Sequence, residues 1–189
     1  YFYRVAHSVL GQQVIVRFTS LGDSSQYQRG FAPLIGRDLT DVLYLSGGRT
    51  VATELTQSVG AVFYLLFGGN AILINIGFQS IAFIGIVVFL NSLRPRMRIW
   101  MALLLMLPSF SIWSSVASKE SIVVFALGIL AALVVEMYED RARLKVRHVF
   151  AAVLIAFFKI QYLPALIFLI VGTWLLRRVR QRTFWAVVG

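Results

Sequence analysis

The chain contains no cysteine, which excludes disulfides and thiolate metal sites. Histidine is nearly as scarce: His7 and His148 lie far apart, and neither has a ligand partner at helical spacing. Charge is thin too, at 14% of residues, where a soluble domain usually carries about 25%. Acids are the rarer sign, eight against eighteen Lys and Arg. What is abundant is apolar, 59% of 189 residues. This balance describes an integral membrane protein of the helical kind, because the apolar stretches are too continuous for the alternating pattern of a β-barrel.

The net charge of +10 has a topological explanation. Eleven of the eighteen cations fall in three clusters: Arg94, Arg96 and Arg98; Arg141, Arg143, Lys145 and Arg147; and Arg177, Arg178, Arg180 and Arg182. Short basic loops between apolar runs obey the positive-inside rule. With the charge used this way, no aromatic-basic surface outside the membrane remains for nucleic acid, and none is expected as a partner.

The fold class expected is all-α, a polytopic transmembrane helix bundle with a long external first loop carrying short interfacial helices. The chain opens on Tyr1-Phe2-Tyr3-Arg4 without an initiator Met and closes on Thr183 to Gly189. It reads as a fragment of a longer polytopic protein, with an upstream helix and, over 183–189, the start of a further span. Residues 1–50 form the external loop. Gly22, Gly30, Gly36, Gly47, Gly48 and Pro33 interrupt it, and no uncharged run reaches the roughly 20 residues a span requires. The bundle occupies 51–189. Residues 51–67 make a partial or tilted helix that breaks at Gly68-Gly69-Asn70. Residues 71–93 are a full span, whose Asn75, Gln79 and Ser80 are expected to face neighbouring helices. Arg94-Pro95-Arg96 stops it. Residues 99–115 return across the membrane with Pro108 inside, and 120–138 cross again, with Ser118 as a cap and Glu120 in the first turn.

The apolar run from Val149 to Leu176 is too long for one crossing. As a single helix it would extend roughly 42 Å, against a hydrocarbon core of about 30 Å. Two readings are open. Either 149–158 and 162–176 form a broken hairpin that turns at Lys159-Ile160-Gln161-Tyr162, or one long tilted span crosses. In the hairpin reading all three basic clusters face inside. Asp23's loop, the Trp113–Glu120 turn and the Lys159–Tyr162 turn then converge outside.

The stretch from Pro108 to Glu120 carries an indole, several hydroxyls, one cation and one anion between two apolar runs. Ionisable groups at the mouth of a membrane bundle are costly, so they read as a site. The order Gly22-Asp23-Ser24-Ser25-Gln26-Tyr27, then Leu66-Phe67-Gly68-Gly69-Asn70, then Pro108-Ser109-Phe110-Ser111-Ile112-Trp113-Ser114-Ser115 with Lys119-Glu120, and then a broken span at Lys159, resembles the GT-C class of integral membrane glycosyltransferases. Within that class it is similar to the bacterial glycosyltransferase 39-like branch, related to the aminoarabinose and protein-mannosyl transferases. The resemblance implies a lipid-linked sugar donor, a polyprenyl-phosphate sugar, used at the external face of the bacterial inner membrane. The acceptor is a lipid, glycan or protein. It also implies an acid of the first external loop as general base, and Asp23 is the residue at that position. No second carboxylate adjoins Asp23, so a divalent metal is not indicated; Asp38, Asp41 and Glu54 are the candidate second acids.

Such a transfer needs a carboxylate within reach of the acceptor hydroxyl and cations prepositioned where charge grows on the leaving phosphate. Lys119 and Lys159 are the cations flanked by apolar spans on the external side, and they are the phosphate candidates, with Arg29, Arg37 and Arg49 in reserve. Tyr27, Trp113, Glu120 and Tyr162 are placed at the substrate. Each has a plain structural alternative. Asp23 suits an Asx-turn, and Lys119 with Glu120 suits a turn closure with a snorkelling lysine. Lys159 suits an ion pair with Glu136 or Glu120, and Trp113 an interfacial anchor. At the level of function, the alternatives are a transporter or lipid-handling protein and a non-catalytic membrane subunit.

Overall fold

The structure is a computed structural model that describes residues 1–7, 9, 10, 51–107, 117–139, 141 and 143–188. The expected external loop therefore lies outside the described residues, apart from a short helical stretch near its start. Among the described residues the chain is predominantly helical and contains no strand. In order come α1 (Val51–Phe67), α2 (Ala71–Ser92), α3 (Pro95–Leu105), α4 (Lys119–Tyr138), α5 (Val146–Phe158), a 3₁₀ turn (Ile160–Tyr162) and α6 (Leu163–Val188).

Local chemistry sets most of the boundaries. Gly68 and Gly69 take positive φ, 59° and 78°, and end α1. The Gly69 amide donates back to the Tyr64 carbonyl at 3.1 Å, the long bond of a Schellman ending. Asn70 then caps α2, its Oδ1 accepting from the amides of Ile72 and Leu73 at 3.0 and 3.2 Å. Pro95 both stops α2 and starts α3: it lacks the amide to continue the first helix and fits the first position of the next.

α3 covers only the first part of the crossing expected over 99–115. The helix begins four residues earlier, at Pro95, and ends at Leu105 after 11 residues, well short of the roughly 20 a span needs. The last turn tightens, the Met106 amide donating at 3.1 Å to the carbonyls of both Ala102 and Leu103. The residue before a proline is pushed out of the α region, and Leu107 precedes Pro108. Pro108 to Val116 lie outside the described residues.

The tightest packing in the molecule is between α2 and α4. Asn75 near the start of α2 meets Ala117 just before α4, and Ser92 at the end of α2 meets Arg141 just after α4. The two helices therefore run parallel. They touch backbone to backbone at their middles. A Cβ on Gly85 would sit 2.4 Å from the Phe125 Cα, and one on Gly128 would sit 2.3 Å from the Gly85 carbonyl oxygen. Small residues that let backbones meet are how helices associate where no hydrophobic force separates helix from lipid. Ala82, Ala126 and Ala132, all fully buried, extend the same close seam. Around it Phe78, Ile74, Ile129, Leu130, Ala151 and Ile155 form one core that joins α2, α4 and α5. From α1, Phe63 lies over Gly77 and packs edge-on against Phe78 with ring centroids 5.5 Å apart.

α5 and α6 are antiparallel. Lys159 leaves helical geometry at φ −150° and ψ 66°. Past the 3₁₀ turn, Ile170 and Arg177 of α6 line the same groove as Ala152, Val149 and His148 of α5. The helix does not stop at Leu176. It continues to Val188, so no new helix begins at 183. Arg177 to Arg182 are good helix formers, and no Gly or Pro interrupts them. Three helical segments, Ala71–Ser92, Lys119–Tyr138 and Ile160–Arg178, are long and apolar enough to cross a membrane. The third is covered almost nowhere: 6% of its apolar window is buried, against 44% and 50% for the others. It is therefore the outlying member of the group.

The glycine contact has a direct consequence. Gly85→Ala is expected to destabilise the folded protein by about 1–3 kcal/mol, the usual cost of overpacking. Gly172→Ala on α6, where an added Cβ meets nothing within 4 Å, is expected to stay within about 0.5 kcal/mol of wild type. Reversible unfolding in bicelles measures both, and an unchanged Gly85→Ala would contradict the packing described.

Candidate functional site

The two ends of the helix group differ in chemistry. At one end the arginine clusters meet. Arg94 donates through Nε to Glu139 at 2.9 Å, and Arg141 also pairs with Glu139. Arg141 further donates to the Ser92 carbonyl at 3.2 Å, and Arg98 to the Leu93 carbonyl at 3.3 Å. Hydrogen bonding from Arg94, with a further contribution from Arg141, holds the Glu139 carboxyl below the usual carboxylate range. Arg147 lies 3.4 Å from Glu136. These contacts tie the end of α2 to the end of α4, and Arg177 on α6 lines the groove beside Leu144 and His148.

The opposite end holds the candidate site. It is assembled by the start of α4, the α5–α6 break and the start of α2. Asn75, fully buried, accepts from the Ala117 amide at 2.9 Å. That bond fixes the backbone immediately before α4 against α2, and so sets where Ser118, Lys119 and Glu120 stand. Ser118 occupies the N-cap position with extended backbone but makes no capping bond, contrary to expectation. Its φ of −156° and ψ of 163° are extended, and the hydroxyl is buried without a hydrogen-bond partner. Glu120 sits in the first turn of α4, where the helix dipole favours an anion.

Lys159 reaches across from the break after α5, and its Nζ lies 3.2 Å from a Glu120 carboxylate oxygen. Of the two acids open to it in the sequence, Glu120 is the one it meets, while Glu136 is engaged by Arg147 at the far end. The Lys159 and Glu120 side chains remain 28% and 44% exposed. A pair this open contributes at most about 1 kcal/mol to stability, so its position at the mouth is of more consequence than its energy. Lys119, half-buried, begins α4 beside Glu120. Tyr162 closes the 3₁₀ turn, its amide donating to the Lys159 carbonyl at 2.9 Å, and its side chain is exposed.

Four of the sequence-derived site residues, Lys119, Glu120, Lys159 and Tyr162, are thus at one end, with Lys159 in contact with both Glu120 and Tyr162. Asp23, Tyr27 and Trp113 lie outside the described residues, as do Arg29, Arg37, Asp38, Asp41 and Arg49. Glu54 is placed only as a member of the first turn of α1. Among the described residues no group of three His, Asp or Glu side chains gathers as metal ligands. The groove of about 500 Å³ between α4, α5 and α6 is at the other end, near the arginines. Asn75 is the residue that sequence reasoning did not place at the site, whereas Ser118 fell within the Pro108–Glu120 stretch but was expected as a cap. Asn75 was readable as a polar residue inside an apolar run, but not as the group that positions α4.

No protein family, no curated protein and no solved structure matches the chain.

Removing the Asn75 side chain should loosen the site from beneath. Asn75→Ala leaves the Ala117 amide buried without this acceptor, and is expected to cost about 1–3 kcal/mol. Ser80→Ala serves as the comparison, because the Ser80 hydroxyl bonds within its own helix to the Ile76 carbonyl and to Tyr1 at the protein edge. A loss no larger in Asn75→Ala than in Ser80→Ala, measured by the same unfolding assay, would contradict the positioning role.

Proposed function

We propose that the chain belongs to a multi-pass membrane glycosyltransferase of the GT-C kind, transferring a sugar from a polyprenyl-phosphate donor to an acceptor hydroxyl at the face opposite the arginine clusters. The single observation that carries this reading is the convergence of Lys119, Glu120 and Lys159. Two segments forty residues apart in sequence bring cations to one mouth of an apolar helix group. The basic clusters around Arg94, Arg141 and Arg177 at the other end support an orientation with that mouth outside.

In this reading the bond from the anomeric carbon to the phosphate oxygen breaks as the acceptor oxygen attacks. Asp23 takes the acceptor proton. Lys119 and Lys159 meet the charge that grows on the phosphate, which fixed cations stabilise without reorganising. Glu120 holds Lys159 over the mouth, and the apolar spans keep the prenyl chain in the bilayer. Trp113, Tyr27 and Tyr162 supply flat surfaces for the sugar.

Membranes carrying the full-length protein, supplied with a radiolabelled polyprenyl-phosphate sugar pool, test the proposal. Wild type should transfer label. Lys119→Ala and Lys159→Ala should each lower transfer by roughly 10²-fold or more, the scale of removing one transition-state charge contact. Asp23→Asn should abolish most of the remainder. Wild-type-level transfer by Lys119→Ala and Lys159→Ala would remove the phosphate assignment, and robust transfer by Asp23→Asn would move the base elsewhere.

A further inference from the structure

We infer that the groove between α4, α5 and α6 holds an anionic phospholipid from the leaflet that faces the arginine-rich loops, with an acyl chain along the groove and the phosphate at its mouth. The inference rests on the membrane-spanning part of the proposal above and not on sugar transfer. The groove measures about 500 Å³, inside the roughly 300–1,000 Å³ of small-molecule sites. Its walls are apolar: Leu130, Leu133 and Met137 from α4, Val149 and Ala152 from α5, and Ile170 from α6. Among the described residues its polar lining side chains are His148 and Arg177. An apolar trough with polar groups confined to one end matches a molecule with one long apolar part and one polar head.

The charge at that end selects the head. Leu144, which closes part of the mouth, is flanked in sequence by Arg143 and Lys145, both exposed. α5 begins there at Val146, so its first-turn amides and the positive end of its dipole are at the same level. Among the described residues the nearby acids pair with arginines, Glu136 with Arg147 and Glu139 with Arg94 and Arg141. The mouth thus carries an excess of cation. A zwitterionic lipid would bring a second cation against it, whereas an anionic one would not. Basic pockets between membrane helices on the positively charged side take anionic head groups for this reason.

The test uses the full-length protein, recovered from the membrane fraction and exchanged into mixed micelles of phosphatidylglycerol or phosphatidylcholine. Native mass spectrometry counts the lipid retained. Wild type should retain phosphatidylglycerol in preference. Arg177→Gln should lower that retention about fivefold, the worth of one cation near a lipid head group, and leave phosphatidylcholine unchanged. Val149→Trp, which fills the groove from an exposed wall position, should remove retention of both. Arg178→Gln should change nothing, because that guanidinium lies 4.1 Å over the Trp174 ring. Equal retention of the two lipids by wild type, or retention indifferent to both Arg177→Gln and Val149→Trp, would overturn the inference. Absence of the protein from the membrane fraction would overturn the membrane reading, and the lipid site with it.

Discussion

Backbone contact between Gly85 and Gly128 is the constraint on which the rest of the arrangement depends. Two parallel helices can approach this closely only where neither carries a side chain at the crossing. Once they do, their ends are fixed relative to each other. At one end, the closeness lets the Asn75 side chain reach the Ala117 amide. At the other, it brings Arg141 to the Ser92 carbonyl and Arg94 to Glu139. A wider crossing would break both sets of bonds at once. The candidate site therefore depends on a contact about two helical turns below it. Neither glycine has any chemistry to contribute there.

The polar residues inside the apolar helices follow from the same geometry. Asn75 and Gln79 are fully buried, and both lie on the face of α2 that the rest of the group covers. A polar group left facing lipid would cost several kcal/mol on the order of an unmade hydrogen bond, so each is turned toward protein. Thr56 on α1 is equally buried and returns its hydroxyl to the Ala52 carbonyl at 2.7 Å. The Thr56 hydroxyl is thus satisfied within its own helix while the Asn75 amide bonds across to the backbone before α4, and burial alone does not require either to line a site. Being polar inside an apolar run is weak grounds for a catalytic role, and strong grounds for facing a neighbour.

How much was legible in the sequence varied with the kind of question. Gly68-Gly69-Asn70 announced a break and a cap, because positive φ and an Asx side chain act within a few residues. The long apolar runs announced α2 and α4. The end of α3 did not show, since the run from Ile99 continues apolar beyond Met106 and only Pro108 signals trouble. Gly85 and Gly128 were silent. Asn75 and Gln79 mark the neighbour-facing side near the start of α2, but around Gly85 and Gly128 both helices are apolar on all sides, so no periodicity marks the crossing itself. The ion pair shows the same limit. The sequence offered Lys159 two acids, Glu136 and Glu120, and the fold chose between them by bringing the α5–α6 break to the start of α4. Asp23, Tyr27 and Trp113 were legible only as residue types in suggestive places, and they fall outside the described residues.

The proposed function requires the Glu120–Lys159 mouth and the arginine clusters to face opposite sides of a membrane. Single cysteines are its most direct probe. In a cysteine-free background of the full-length protein, Gln161→Cys and Arg143→Cys place one thiol at each end, both at exposed positions. Sealed vesicles of known orientation are then treated with a membrane-impermeant maleimide. Gln161→Cys should label from the outer face and Arg143→Cys only after the vesicles are opened or inverted. Labelling of both from the same face would contradict the arrangement of the helices across the bilayer, and with it the placement of the proposed site.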